Sequence, residues 1–189
     1  MFTKIRNRIL QKFLEYELID QKDSIIYEYG LDLIVKKIIH ISLIMSFGLL
    51  SHEFIGIIVF LIFYASLRGY SGGYHADCAI KCYLCTVLVT VSALIMLNIM
   101  HDFTMNSIEI VMLLCGIIIW KLSPQESENK PFQGYEREVY RKISHRYLLL
   151  EGGIFLLGRD FPVVIRGIAV AWIIQGIMLV ITYLKKVKY

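Results

Sequence analysis

Formal charge is missing from two long stretches of this 189-residue chain, and that absence is the most informative thing about it. Cys82–Met100 runs 19 residues without a charged side chain, and Gly167–Leu184 runs 18. A bilayer's hydrocarbon layer takes about 20 apolar helical residues to cross, so both runs predict membrane spans. The chain also lacks an uninterrupted apolar core near its N-terminus, where charges alternate with apolar residues in MFTKIRNRILQKFLEYELID. This pattern predicts no cleavable signal peptide. Cysteine is sparse: Cys78, Cys82, Cys85 and Cys115 all fall in or beside apolar segments. A secreted disulfide framework is excluded on that ground, since such frameworks belong to small domains without a core.

What is present is apolar. Hydrophobic residues make up 57% of the chain and the mean hydropathy is +0.60, against about 45–50% apolar residues in soluble domains. The expected architecture is all-α, a polytopic membrane helix bundle forming one integral domain over residues 1–189. Apolar segments fall at roughly 31–50, 54–67, 82–100, 106–122, 147–158 and 161–184. The segments 54–67 and 147–158 are short, so four full spans plus two partial ones compete with six. Ahead of them, within residues 1–28, Ile5, Ile9, Phe13 and Tyr16 recur at helical spacing. Lys4, Arg8, Gln11, Lys12 and Glu15 occupy the other faces. Such a helix suits the headgroup plane, or packs on the protein's own spans.

Charge placement orients the bundle. With the N-terminus in the cytoplasm, 18 of the 20 basic residues lie on the inner side, leaving Arg159 and Arg166 outside. The positive-inside rule therefore predicts a multi-pass protein of the cell membrane with both termini and the long polar loops cytoplasmic. The basic pI near 8.8 is explained by this flanking, so nucleic acid is not an expected partner, whereas membrane lipids are. Glu151 and Arg166 lie in the last two segments, where ionisable side chains are costly. An ion pair between them across the hairpin is their expected use.

The chemistry concentrates in one polar segment, Arg68-Gly69-Tyr70-Ser71-Gly72-Gly73-Tyr74-His75-Ala76-Asp77-Cys78, which leads to Cys82 and Cys85. Paired glycines permit a tight turn. Histidine is the natural general base near neutral pH, and cysteine the most intrinsically reactive nucleophile. On one continuous helix His75 faces Cys78, whereas Cys82 lies about 10 Å along the axis. A His75–Cys82 pair requires the chain to fold back around Gly72–His75, and spacing does not choose between the two cysteines. His75, Cys78, Cys82 and Cys85 are also four conceivable zinc ligands, but the paired Cys-x2-Cys knuckles of structural zinc are missing. No metal and no cofactor are expected.

Arg68, then Gly72-Gly73-Tyr74-His75-Ala76, then Cys82 seven residues after the histidine resembles the accessory gene regulator B family. Those proteins are membrane endopeptidases that process quorum-sensing propeptides. Ser123-Pro124 with Asn129-Lys130-Pro131 and, more weakly, Tyr29-Gly30-Leu31 extend the resemblance over nearly the whole chain. The resemblance implies a catalytic dyad of His75 and Cys82 in a cytoplasmic segment 68–82, with no role for Cys78 or Cys85. It implies a propeptide substrate with an amphipathic N-terminal helix and an acidic C-terminal tail. Cleavage of that tail would leave the signal as a thioester on Cys82, and ring closure to a thiolactone or lactone would follow. A homodimer is implied as well.

Supporting positions are Arg68, for substrate backbone or acidic groups or as a headgroup anchor, Gly72 and Gly73 for the turn, and Lys130 with Pro131. The loop 121–146 carries six basic residues against four glutamates and could steer an acidic tail. The competing functions are a small membrane peptide transporter and a non-catalytic metal or redox membrane protein.

Overall fold

The computed structural model describes residues 2–73, 79–126 and 132–187, with only the backbone at 2–4, 36, 79–80, 82 and 187. The described residues are mostly helical and form no strand: α1 (Phe2–Glu15), α2 (Ser24–Leu50), α3 (Phe54–Ser71), α4 (Ala79–Ile99), α5 (Met105–Leu122), α6 (Glu136–Leu157) and α7 (Pro162–Val187). Short 3₁₀ turns at Gln21–Asp23 and Met100–Asp102 precede α2 and follow α4. Five of these helices, α2, α3, α4, α5 and α7, are long and apolar enough to cross a membrane. The chain is an all-α, multi-pass membrane protein.

Two compact units divide the chain at residues 47 and 48. In the first, Arg6 on α1 reaches α2, meeting Glu28 at 2.7 Å and Asp32 at 3.0 Å. Phe13 meets Tyr27 edge-on. The amphipathic N-terminal helix is thus tied to the start of its own first span, the second of the two arrangements its pattern allows.

In the second unit α7 is the central helix. Of its most apolar stretch 61% is buried, against 17–28% in α3, α4 and α5. Burial on all sides explains why this stretch is apolar all round rather than striped. Close packing uses small residues: a Cβ on Gly167 would strike Val59 of α3, and one on Gly116 of α5 would strike Trp172.

The two short segments resolve differently. Residues 54–67 belong to an 18-residue helix that continues to Ser71, a full span. Residues 147–158 form the second half of α6, whose first half is charged, so α6 as a whole is not apolar enough to qualify. Its main packing partner is α3, and polar contacts tie it to both ends of α5. Ser144 donates to Ser123 at one end of α5 (3.1 Å), and Arg159, just beyond α6, pairs with Glu109 at the other. The polar first turns of α6 therefore project past the end of α5 while its apolar half lies alongside.

Candidate active site

The end of α3 is where two separate sequence motifs meet. Gly72 leaves the helix with φ 71° and ψ −155°, a region essentially restricted to glycine. Its backbone lies against Gln125, directly after Ser123-Pro124, in a parallel bridge. The Gln125 N–H donates to the Ser71 carbonyl at 3.0 Å. A Cβ on Gly72 would collide with the Gln125 carbonyl. Gly73, at φ 136°, has no room either, because the Arg68 guanidinium lies where its Cβ would stand. Gly72 is thus required twice over, by backbone angle and by close approach to another main chain, and Gly73 by its backbone angle.

Arg68 reaches forward along its own helix and donates from Nη1 to the Gly72 carbonyl at 2.8 Å. The same carbonyl accepts from Gln175 Nε2 of α7, also at 2.8 Å. Gln175 Nε2 donates in addition to Ser71 Oγ at 2.5 Å, and Ser71 Oγ donates to the Leu67 carbonyl. Ser71, Ser123, Ser144 and Gln175 are all buried. Two helices, α3 and α7, and one loop therefore converge on the main chain of Ser71–Gly73. An aromatic cluster flanks this node. Tyr70 stacks on Tyr147 at 5.4 Å and touches Tyr140, which in turn meets Phe132. Phe132, the first described residue after that loop, thus lies at this same end of the bundle.

Of the expected site residues, Arg68, Gly72 and Gly73 are brought together here. His75, Lys130, Pro131 and Cys78 lie outside the described residues. Cys82 is described in backbone only, as the fourth residue of α4. The turn required between His75 and Cys82 falls on residues 74–78, also outside them, although Gly72 has already left the α3 helix. Tyr29-Gly30-Leu31 lies inside α2, in the other unit. Among the described residues no cluster of His, Cys, Asp or Glu could hold a metal; three of the four conceivable zinc ligands fall outside that description.

Two features escaped the sequence. The first is Gln175, whose signal was being the single amide within the charge-free run Gly167–Leu184. The second concerns Glu151 and Arg166, which do not pair. Glu151 accepts from Ser66 Oγ at 2.8 Å and from Trp172 Nε1 at 2.7 Å, locking α6 to α3 and α7. Arg166 instead contacts His101 Nδ1 at 3.1 Å, and His101 Nε2 meets Glu53 at 2.6 Å. Arg166 and Trp172 stand six residues apart on α7, about 9 Å along the axis, so the two charges sit at different depths.

The family model for accessory gene regulator B matches residues 6–182. The chain belongs to the accessory gene regulator B family. Among curated proteins it is 25% identical over 148 residues to AgrB-like protein 2 of Clostridium perfringens (strain 13 / Type A), covering 75% of this chain and 69% of that one. It is 26% identical over 131 residues to an AgrB-like protein of Clostridium perfringens (strain SM101 / Type A), covering 65% of this chain and 60% of the relative, less than two thirds of its length. No solved structure matches the chain. Membership in the accessory gene regulator B family supports a part in quorum-sensing peptide processing.

Proposed function

We propose that this accessory gene regulator B protein is a membrane-embedded cysteine endopeptidase that removes the C-terminal tail of a quorum-sensing propeptide. The observation that carries the reading is the convergence at Gly72: the motif leading into His75 and the Ser123-Pro124 motif are joined there by main-chain hydrogen bonds. Two buried polar side chains, Ser71 and Gln175, are committed to that junction, and a third, Ser123, is buried beside it.

In the reaction, His75 takes the proton of the Cys82 thiol, and the thiolate attacks the carbonyl at the junction between signal and tail. Collapse of the tetrahedral intermediate breaks the C–N bond. The tail leaves as an amine that takes the proton back from His75, and the signal remains as a thioester on Cys82. An internal Cys or Ser of the propeptide then attacks that thioester, returning the Cys82 thiol and closing the ring. Water must be kept from the thioester, which a site at the membrane surface favours.

The charge pattern supports a cytoplasmic site in the cell membrane, with Lys121, Arg137, Arg141, Arg146 and Lys185 near the same end to attract an acidic tail. Lys130 is the proposed direct contact. The test is cleavage of the cognate propeptide followed by mass, comparing Cys82→Ser with Cys78→Ser. Loss with Cys82→Ser alone is the expected result; full cleavage by Cys82→Ser overturns the reading.

A further inference from the structure

His75 stands three residues after Gly72, so the direction in which the chain leaves Gly72 limits where the imidazole can be. We propose that Gln175 is a positioning residue for the catalytic segment, its side-chain amide fixing the Gly72–Gly73 peptide plane from which residues 74 and 75 depart. The proposal rests on the cysteine-endopeptidase reading. A peptide unit is planar, so holding the Gly72 carbonyl also holds the Gly73 N–H and the outgoing chain. That carbonyl is held from both sides, by Arg68 Nη1 and Gln175 Nε2, each at 2.8 Å. Gln175 spends its second amide hydrogen on Ser71 Oγ, whose own proton goes to the Leu67 carbonyl. The amide orientation follows from these partners: turned over, Gln175 would place its oxygen against the Gly72 carbonyl oxygen.

A second observation shows that Gln175 is not there for packing. The residue is completely buried, and its Oε1 has no hydrogen-bond partner among the described residues. Burying an amide oxygen unmet destabilises a protein, whereas an apolar side chain of the same shape would not. Ile174 and Leu179 on the same helix are buried aliphatics. A buried amide that spends both N–H groups on the end of α3 while its oxygen goes unmet points to a requirement at the site it touches, and what it touches is the main chain that leads to His75.

The experiment uses the full chain in detergent or vesicles with its cognate propeptide, comparing Gln175→Met, Gln175→Asn and Ser71→Ala with the unaltered protein and with Cys82→Ser. For Gln175→Met the expected result is a fall in kcat of about 100-fold, the scale of misplacing a catalytic group by an ångström. KM should change less than about threefold, because binding is not the function lost. Alkylation of Cys82, read by peptide mass between about pH 5 and 10, should lose the part of its profile that depends on the neighbouring base. Gln175→Asn, which keeps the donors on a shorter stem, should recover part of both readouts, and Ser71→Ala should fall between. The two milder variants carry the test if Gln175→Met does not fold. Unchanged kcat and an unchanged alkylation profile in the folded variants overturn the proposal, as does a loss matched by thermal stability alone. Cleavage by Cys82→Ser removes the underlying reading, and the proposal falls with it; loss by Cys82→Ser together with normal Gln175 variants rejects only the role of Gln175.

Discussion

The two ends of the α3–α7 bundle are both polar, but they use polarity differently. At the Glu53 end, side chains meet side chains: Glu53 with His101, His101 with Arg166, and Glu109 with Arg159. The His101 ring, accepting from Arg166 at Nδ1, is assigned its proton on Nε2 facing Glu53, so the contacts run from side chain to side chain. At the Gly72 end, side chains meet main chain: Arg68 and Gln175 on the Gly72 carbonyl, and the Gln125 N–H on Ser71. Paired side chains hold helices together and tolerate adjustment. Side chains clamped on a backbone that only glycine can adopt specify one path for the chain. The first arrangement is what stability asks for, and the second is what a site asks for.

The strongest way to break this contrast is Gly72→Ala. The substitution brings about 1–3 kcal/mol of backbone strain in addition to the collision with Gln125. Propeptide cleavage should fall at least about 100-fold while the protein still inserts and purifies. Activity within a few-fold of normal would mean that the Gly72 path is incidental. Glu53→Ala at the opposite end should give the reverse pattern. Losing the buried partner of His101 should lower unfolding stability in detergent by about 1–3 kcal/mol, with kcat per folded molecule unchanged. Equal losses of activity from both ends would erase the distinction.

Much of the fold was legible because lipid imposes long charge-free runs. Cys82–Met100 and Gly167–Leu184 coincide with most of α4 and α7. The segment 54–67 looked short because Arg68 and Ser71 read as loop residues. Both lie within α3 and bond to main-chain carbonyls of its own end, so the helix continues through them. The second half of α6 was legible as apolar, but its extension along α5 depends on Ser144 and Arg159 finding partners over 20 residues away. The motif residues Arg68, Gly72 and Gly73 were legible as a group. Gln175 was not, because its partners lie more than 100 positions upstream and a lone amide in a span carries no spacing to read. The missing Glu151–Arg166 pair has a similar cause: sequence placed both charges in adjacent spans but not at matching depths.

Smaller effects sharpen the same comparison. Ser144→Ala leaves buried Ser123 without its donor, so a loss of about 1 kcal/mol in stability is expected, with a several-fold fall in cleavage because Ser123 adjoins the Gln125 bridge. A stability loss with full activity would separate α6 from the site. The smallest effect concerns Glu126, outside the spans, whose side-chain hydrogen bond with Lys186 and backbone hydrogen bond from Phe132 hold its carboxyl below the usual range. A carboxylate with a depressed pKa stabilises the fold above its unfolded value and loses that contribution as pH falls through the folded one. Glu126→Gln should therefore lower thermal stability by about 0.2–1 kcal/mol at pH 7, the scale of exposed pairs, and the difference should shrink as pH falls and vanish once the folded carboxyl itself is protonated, below the usual carboxylate range. A difference that persists there would show that the charge is not its source.

The most direct test of the whole account is the covalent intermediate on Cys82. A propeptide whose ring-closing Cys or Ser is replaced by alanine cannot displace the thioester, so the protein mixed with it should gain the mass of the propeptide without its tail. That adduct should map to Cys82, release with hydroxylamine, and be absent from Cys82→Ser. Tail release with no adduct on Cys82, at an undiminished rate in Cys82→Ser, would contradict the account.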